Sequence, residues 1–84
     1  MSNNIYVGNL PWSYRDDELK GLFEEHGDVT SAKVIVDRMS GRSRGFGFVE
    51  MASGDEAASA IEALNGFEAE GRELKVNEAK PRDD

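Results

Sequence analysis

Apolar and polar positions alternate in IYVG, residues 5–8, so Ile5 and Val7 share one face of a short strand and Tyr6 takes the other. The period then lengthens. Leu19, Leu22 and Phe23 recur at helical spacing inside DDELKGLFEEHG, and Gly27 is placed as a stop. Ala32, Val34 and Val36 alternate with Lys33, Ile35 and Asp37 in a second strand that ends at the loop DRMSGRSR. A third strand follows directly in GFGFVEM. Ala57, Ile61 and Leu64 mark one face of a second helix that stops at Asn65 and Gly66, and RELKVNE predicts a last strand with Leu74 and Val76 inward.

The third strand raises a question of register. Within RSRGFGFVEM, residues 42–51, Gly47, Val49 and Met51 fall on one face, and Phe46 and Phe48 fall on the other with Arg44 and Glu50. A slip by one residue would bury Arg44 and Glu50 together, and unpaired buried charge is costly. The two phenylalanines are therefore predicted on the wet face. Tyr6 joins them, because Ile5 and Val7 take the inward positions of the neighbouring strand.

Strand, helix, strand, strand, helix, strand is the split βαβ order of an α+β, ferredoxin-like βαββαβ sandwich. Right-handed crossovers give a four-stranded antiparallel sheet in the order 4-1-3-2 with both helices on one face. The other face stays open. The 84 residues are expected to form one domain, with its core over about residues 4–80 and a short polar tail at 81–84. Ser53 and Glu56 predict a capping box for the second helix. The first helix start is less favourable: a staple of Tyr14 on Leu19 leaves Arg15 at the N-cap, so a weakened start, or a cap moved to Ser13 or Asp16, is expected.

Composition narrows the chemistry. The chain has no cysteine and one histidine, His26, placed near a helix C-terminus where it favours the dipole, so no metal site or cofactor is expected. No GK[ST] follows Gly41, Gly45 and Gly47, which removes a phosphate-cradling P-loop. An acyl-phosphate hydrolase, known on this kind of fold, could use an Arg and an Asn but would leave the exposed rings without a role, so an enzyme is not expected. MSNNIYVGNL lacks a basic segment followed by a long apolar run, and a cytoplasmic protein is expected.

The net charge of -7 weighs against a polyanionic partner, yet its distribution does not. Between residues 29 and 44, four cations (Lys33, Arg38, Arg42 and Arg44) face Asp37 alone. The acids gather elsewhere, at Asp16, Asp17, Glu18, Glu24 and Glu25 and again at Asp55, Glu56, Glu62, Glu68 and Glu70. A basic edge on an acidic body results.

With these residues in place the chain closely resembles the RNA recognition motif family. RGFGFVEM, residues 44–51, matches the longer family signature at all but its last position, where Met51 replaces an aromatic residue on the core side. IYVGNL, residues 5–10, is similar to the shorter signature. The resemblance implies that Tyr6 and Phe48 stack on two successive bases, that Phe46 lies against the sugars between them, and that Arg44 pairs with a phosphate. Lys33, Arg38 and Arg42 would steer the strand from the loop side, and Asn9, Lys75, Asn77 and Lys80 would add polar contacts.

Single-stranded RNA is the expected partner, with single-stranded DNA also admitted, for a monomer of modest affinity. A protein-binding module using the same sheet face is the alternative. The resemblance extends to small bacterial members, some of them induced by cold. Gly47 is expected to let a helix approach the sheet, Gly45 to keep a side chain off the nucleic-acid backbone, and Trp12 to pack at the sheet's end, with an extension of the binding surface as the alternative.

Overall fold

The computed structural model describes residues 3–79. Strand β1 (Asn4–Gly8) leads to helix α1 (Asp16–Glu24), strands β2 (Val29–Val36) and β3 (Ser43–Met51), and helix α2 (Gly54–Leu64). Three short strands follow, β4 (Glu68–Ala69), β5 (Arg72–Glu73) and β6 (Lys75–Glu78). The main sheet runs β2-β3-β1-β6 with every pair antiparallel. This is the expected 4-1-3-2 order, with β6 as the fourth strand. Both helices pack on one face, α1 against β2 and β3 and α2 against β1, β3 and β6.

The core lies between sheet and helices and follows the alternation of the strands. Ile5 and Val7 from β1, Val49 and Met51 from β3, and Val76 from β6 are closed off from solvent, as are Leu19 and Phe23 of α1 and Ala57 and Ala60 of α2. Met51 sits among them as an apolar residue, so its departure from an aromatic falls on the buried side. Leu64 completes the inward face of α2, while Ile61 is only half-buried.

The first helix start takes the first of the expected forms, and the second departs in part. Arg15 is the N-cap of α1, and its N–H donates to Glu18 Oε1 at 2.7 Å. Neither alternative cap is used. Ser13 donates its hydroxyl to the Glu70 carboxylate at 3.1–3.2 Å, and Asp16 Oδ1 accepts the Val34 N–H at 2.7 Å. Acidic residues at the first three helical positions favour the positive end of the dipole, and Tyr14 packs against the core as the staple requires. At α2 half of the box forms: Ser53 Oγ accepts the Glu56 N–H at 3.2 Å. The Glu56 carboxylate turns instead to the Asp28 N–H at 2.7 Å and so ties the helix to the loop before β2.

Two strand expectations are corrected. Val36, aligned with Ala32 and Val34 in the sequence pattern, is exposed, because the pairing of β2 with β3 is irregular between Val34 and Val36. RELKVNE is also not one strand. Glu70 (φ 52) and Gly71 (φ 82) close a two-residue turn with both residues left-handed, which pairs β4 with β5 as a separate hairpin. Leu74 bonds back to Gly66 and Phe67, and only β6 joins the main sheet. Leu74 and Val76 are nonetheless fully buried, as expected.

Candidate nucleic-acid interface

The register places the predicted residues in rows across the open face. Phe48 lies opposite Tyr6 on one side and Lys33 on the other, and Tyr6 lies opposite Asn77, so Lys33, Phe48, Tyr6 and Asn77 form one row over four strands. Phe46, Gly8 and Lys75 form the next. Tyr6, Phe46 and Phe48 converge, with ring centroids 5.9–6.1 Å apart. None of the three pairs is stacked face to face: two are edge-on and one is tilted by 31°. Phe48 keeps 42% of its surface exposed, whereas its strand neighbours Gly47 and Val49 are buried. The unslipped register is therefore the one present. Glu50 is half-buried on the open side, where its Oε1 accepts the Thr30 hydroxyl at 3.0 Å.

Gly8 has a role that the sequence reading missed. A Cβ there would come within 2.7 Å of Tyr6 Oη and 3.0–3.1 Å of the ring carbons, so the tyrosine ring lies over the glycine. Gly8 keeps Tyr6 flat along the sheet. The signal available in the sequence was spacing alone, since residues i and i+2 of a strand share a face. Gly47 acts as expected, and more tightly: a Cβ would meet the Lys33 carbonyl oxygen at 2.5 Å and Leu19 of α1 at 3.1 Å. Gly45 carries a backbone requirement as well. A Cβ there would have no neighbour closer than 3.9 Å, but the residue has φ 83, a left-handed conformation at the irregular end of the β2–β3 pairing.

Four of the predicted cations lie toward β2 and the loop that joins it to β3. Arg44 is exposed on β3 beyond Phe46, and Arg38 and Arg42 flank a closed turn in which Asp37 accepts the N–H of Met39 and of Gly41, each at 2.8 Å. Among the described residues none of Lys33, Arg38, Arg42 and Arg44 makes an ion pair. Lys75 instead meets Glu73 at 3.4 Å, a solvent-exposed pair of small energetic weight. Lys80 falls outside the described residues.

Asn9 is brought near but not into the ring cluster. It has φ 59, and its side chain donates to the Glu73 carbonyl at 2.7 Å and accepts from Arg72 Nη2 at 2.9 Å. Its hydrogen bonds therefore dock the β4–β5 hairpin to the loop after β1. Trp12, expected to pack, is 61% exposed, with the Arg72 guanidinium 5.8 Å from its ring centroid. Among the described residues there is no cluster of three or more His, Cys, Asp or Glu side chains placed to hold a metal, and no helix long and apolar enough to cross a membrane.

The fold, the two signatures and the ring triad converge on one class, and the RNA recognition motif model matches residues 5–75; the chain belongs to that family. It is a family of RNA-binding modules, and the chain is not an enzyme. Among its relatives, the 31 kDa chloroplast ribonucleoprotein of Nicotiana plumbaginifolia is 53% identical over 81 residues, covering 96% of this chain and 28% of that protein. The RbpB protein of Nostoc sp. is 54% identical over 81 residues, with 96% of this chain and 79% of that one covered. The chain thus spans little more than a quarter of the chloroplast relative. Of solved structures, the crystal structure of RNA Binding Protein PG1 superposes with a TM-score of 0.91 at 54% identity, over 99% of this chain and 100% of that one. A Sex-lethal protein–RNA complex gives 0.92 at 32% identity, over 99% of this chain and 50% of that one.

Proposed function

We propose that this domain binds single-stranded RNA on the open face of its sheet. Tyr6 and Phe48 stack on successive bases, Phe46 lies against the ribose between them, and Arg44 contacts a phosphate. One observation carries the reading: three aromatic rings meet within 5.9–6.1 Å on the face opposite α1 and α2. Unstacked bases offer flat π surfaces, and each stack on a fixed ring contributes about 1–3 kcal/mol. A similar structure, the Rna15 RNA recognition motif, was solved with bound RNA; it is 30% identical with a TM-score of 0.88, over 99% of this chain and 88% of that one.

Lys33, Arg38 and Arg42 extend the positive rim, and Lys75 and Asn77 border the rings on the β6 side. The domain acts as a monomer of modest affinity, and its Lys and Arg contacts to phosphate make binding sensitive to salt. Single-stranded DNA presents the same base faces and competes for the same rings.

The test is a fluorescence-anisotropy titration of a labelled, mixed-sequence single-stranded RNA at low fixed salt, with the wild type and a Phe46→Ala/Phe48→Ala variant whose fold is checked by circular dichroism. The wild type saturates and the variant loses most of its affinity. Equal binding by the two proteins would move the site off the sheet, and absence of wild-type binding would turn the rings toward a protein partner.

A further inference from the structure

Beyond the three rings, the molecule exposes two further large aromatic surfaces, Phe67 and the more open Trp12, which lies in the loop between β1 and α1. Beside it opens a cleft of about 560 Å³ lined by Trp12, Arg15, Arg42 and Ser43. We propose that this cleft is a further nucleotide subsite, in which the indole stacks on a base of the same RNA strand and Arg42 and Arg15 hold its phosphate. The proposal rests on the sheet being an RNA platform and extends the bound strand past its end.

The chemistry of the lining supports a nucleotide. An indole left 61% exposed presents a π surface that a packing role would have covered. Arg15 and Arg42 are both exposed, and among the described residues neither makes an ion pair. Two unpaired guanidiniums beside a π surface match a base joined to a phosphate. The adjoining recess is lined by Arg15, Asp16, Asp17, Lys33, Val34 and Val36, where two carboxylates offset two cations, so the phosphate lies on the Arg42 side, which has no carboxylate in its lining.

Geometry supports continuity with the platform. Phe48, Phe46 and Arg44 succeed one another toward the start of β3, and Arg42 lies just before that start, so a strand leaving Phe46 past Arg44 approaches Arg42 across the irregular end of the β2–β3 pairing. The Leu10 N–H donates to the Gly45 carbonyl at 2.8 Å, which fastens the start of the Trp12 loop to β3. The indole is also held in place. Arg72, which does not line the cleft, sits over the ring at 5.8 Å and is itself fixed by Asn9 at 2.9 Å. A ring ordered before binding loses less conformational entropy on stacking.

Trp12 is the chain's one tryptophan, so its emission reports the cleft directly. Uridylate oligomers of three and of eight nucleotides are each titrated to saturation, with binding followed by anisotropy and access to Trp12 by acrylamide quenching. The longer oligomer removes acrylamide access and the shorter one does not. The Trp12→Ala variant, followed by anisotropy, loses about tenfold in affinity for the longer oligomer, the size of one stacked base, and nothing for the shorter. Saturation by the longer oligomer with Trp12 still open to acrylamide would overturn the subsite and leave the platform standing. Equal shielding by both would make Trp12 part of the platform and overturn a separate subsite. If neither oligomer binds, the platform reading falls and the subsite with it.

Discussion

The centre of the sheet and its β4–β5 end are held together by different means. Strands β1 and β3 share five register pairs, and the side chains beneath them are fully buried. The hairpin has two residues in each strand; Ala69 reaches the core, and the rest is docked by polar side chains: Asn9 to Glu73 and Arg72, Ser13 to Glu70, and Arg72 over Trp12. A backbone ladder forces side chains to alternate, so what faces out at the centre follows from what must face in. Side-chain docking imposes no such period.

Breaking the ladder gives the largest effect. Gly47→Ala sets a methyl group against the Lys33 carbonyl oxygen, backbone that cannot move without opening the β2–β3 pair, and should cost about 2 kcal/mol or more in a denaturant titration. Wild-type stability in that variant would mean the two strands separate more easily than their register implies. Gly8→Ala meets only the far end of a flexible side chain, so stability should hold while the Tyr6 ring is pushed off the sheet. RNA affinity is then expected to fall by up to about 1 kcal/mol, part of one stacking contribution. Unchanged affinity would show that the flat pose of Tyr6 is not the one that binds.

The smallest effect tests the docked end. Burial first, and then the charges of Glu70 and Glu18, raise the Tyr14 pKa above its ordinary 10.0. The folded state therefore favours the neutral phenol. Its contribution is complete below pH 10 and declines as pH rises through the folded value. Urea midpoints taken across this alkaline range should fall more steeply for the wild type than for Tyr14→Phe. Parallel declines would show that the Tyr14 phenol is neither buried nor approached by the Glu70 and Glu18 carboxylates in solution.

The same contrast explains what could be read from residue order. Tyr6, Phe46 and Phe48 were placed on the open face because Ile5, Val7, Val49 and Met51 demanded the other, and the structure has them there. Val36 escaped because alternation does not survive an irregular pairing. The break in RELKVNE escaped because Glu70 carries no mark of a left-handed residue, although the Gly71 beside it does. Asn9 was assigned to RNA by resemblance alone. Its contacts at 2.7 and 2.9 Å, to residues more than sixty positions away, have no local signature.

The Asp16 carboxylate that accepts the Val34 N–H has a consequence beyond the helix start. Strand β2 is an edge of the sheet, and an unpaired N–H there would invite a strand from another molecule. With that donor occupied and Lys33 beside it, sheet-to-sheet polymerisation is opposed at the border of the aromatic surface. The same carboxylate that starts a helix thus also withdraws one outward donor of the β2 edge from pairing with another sheet.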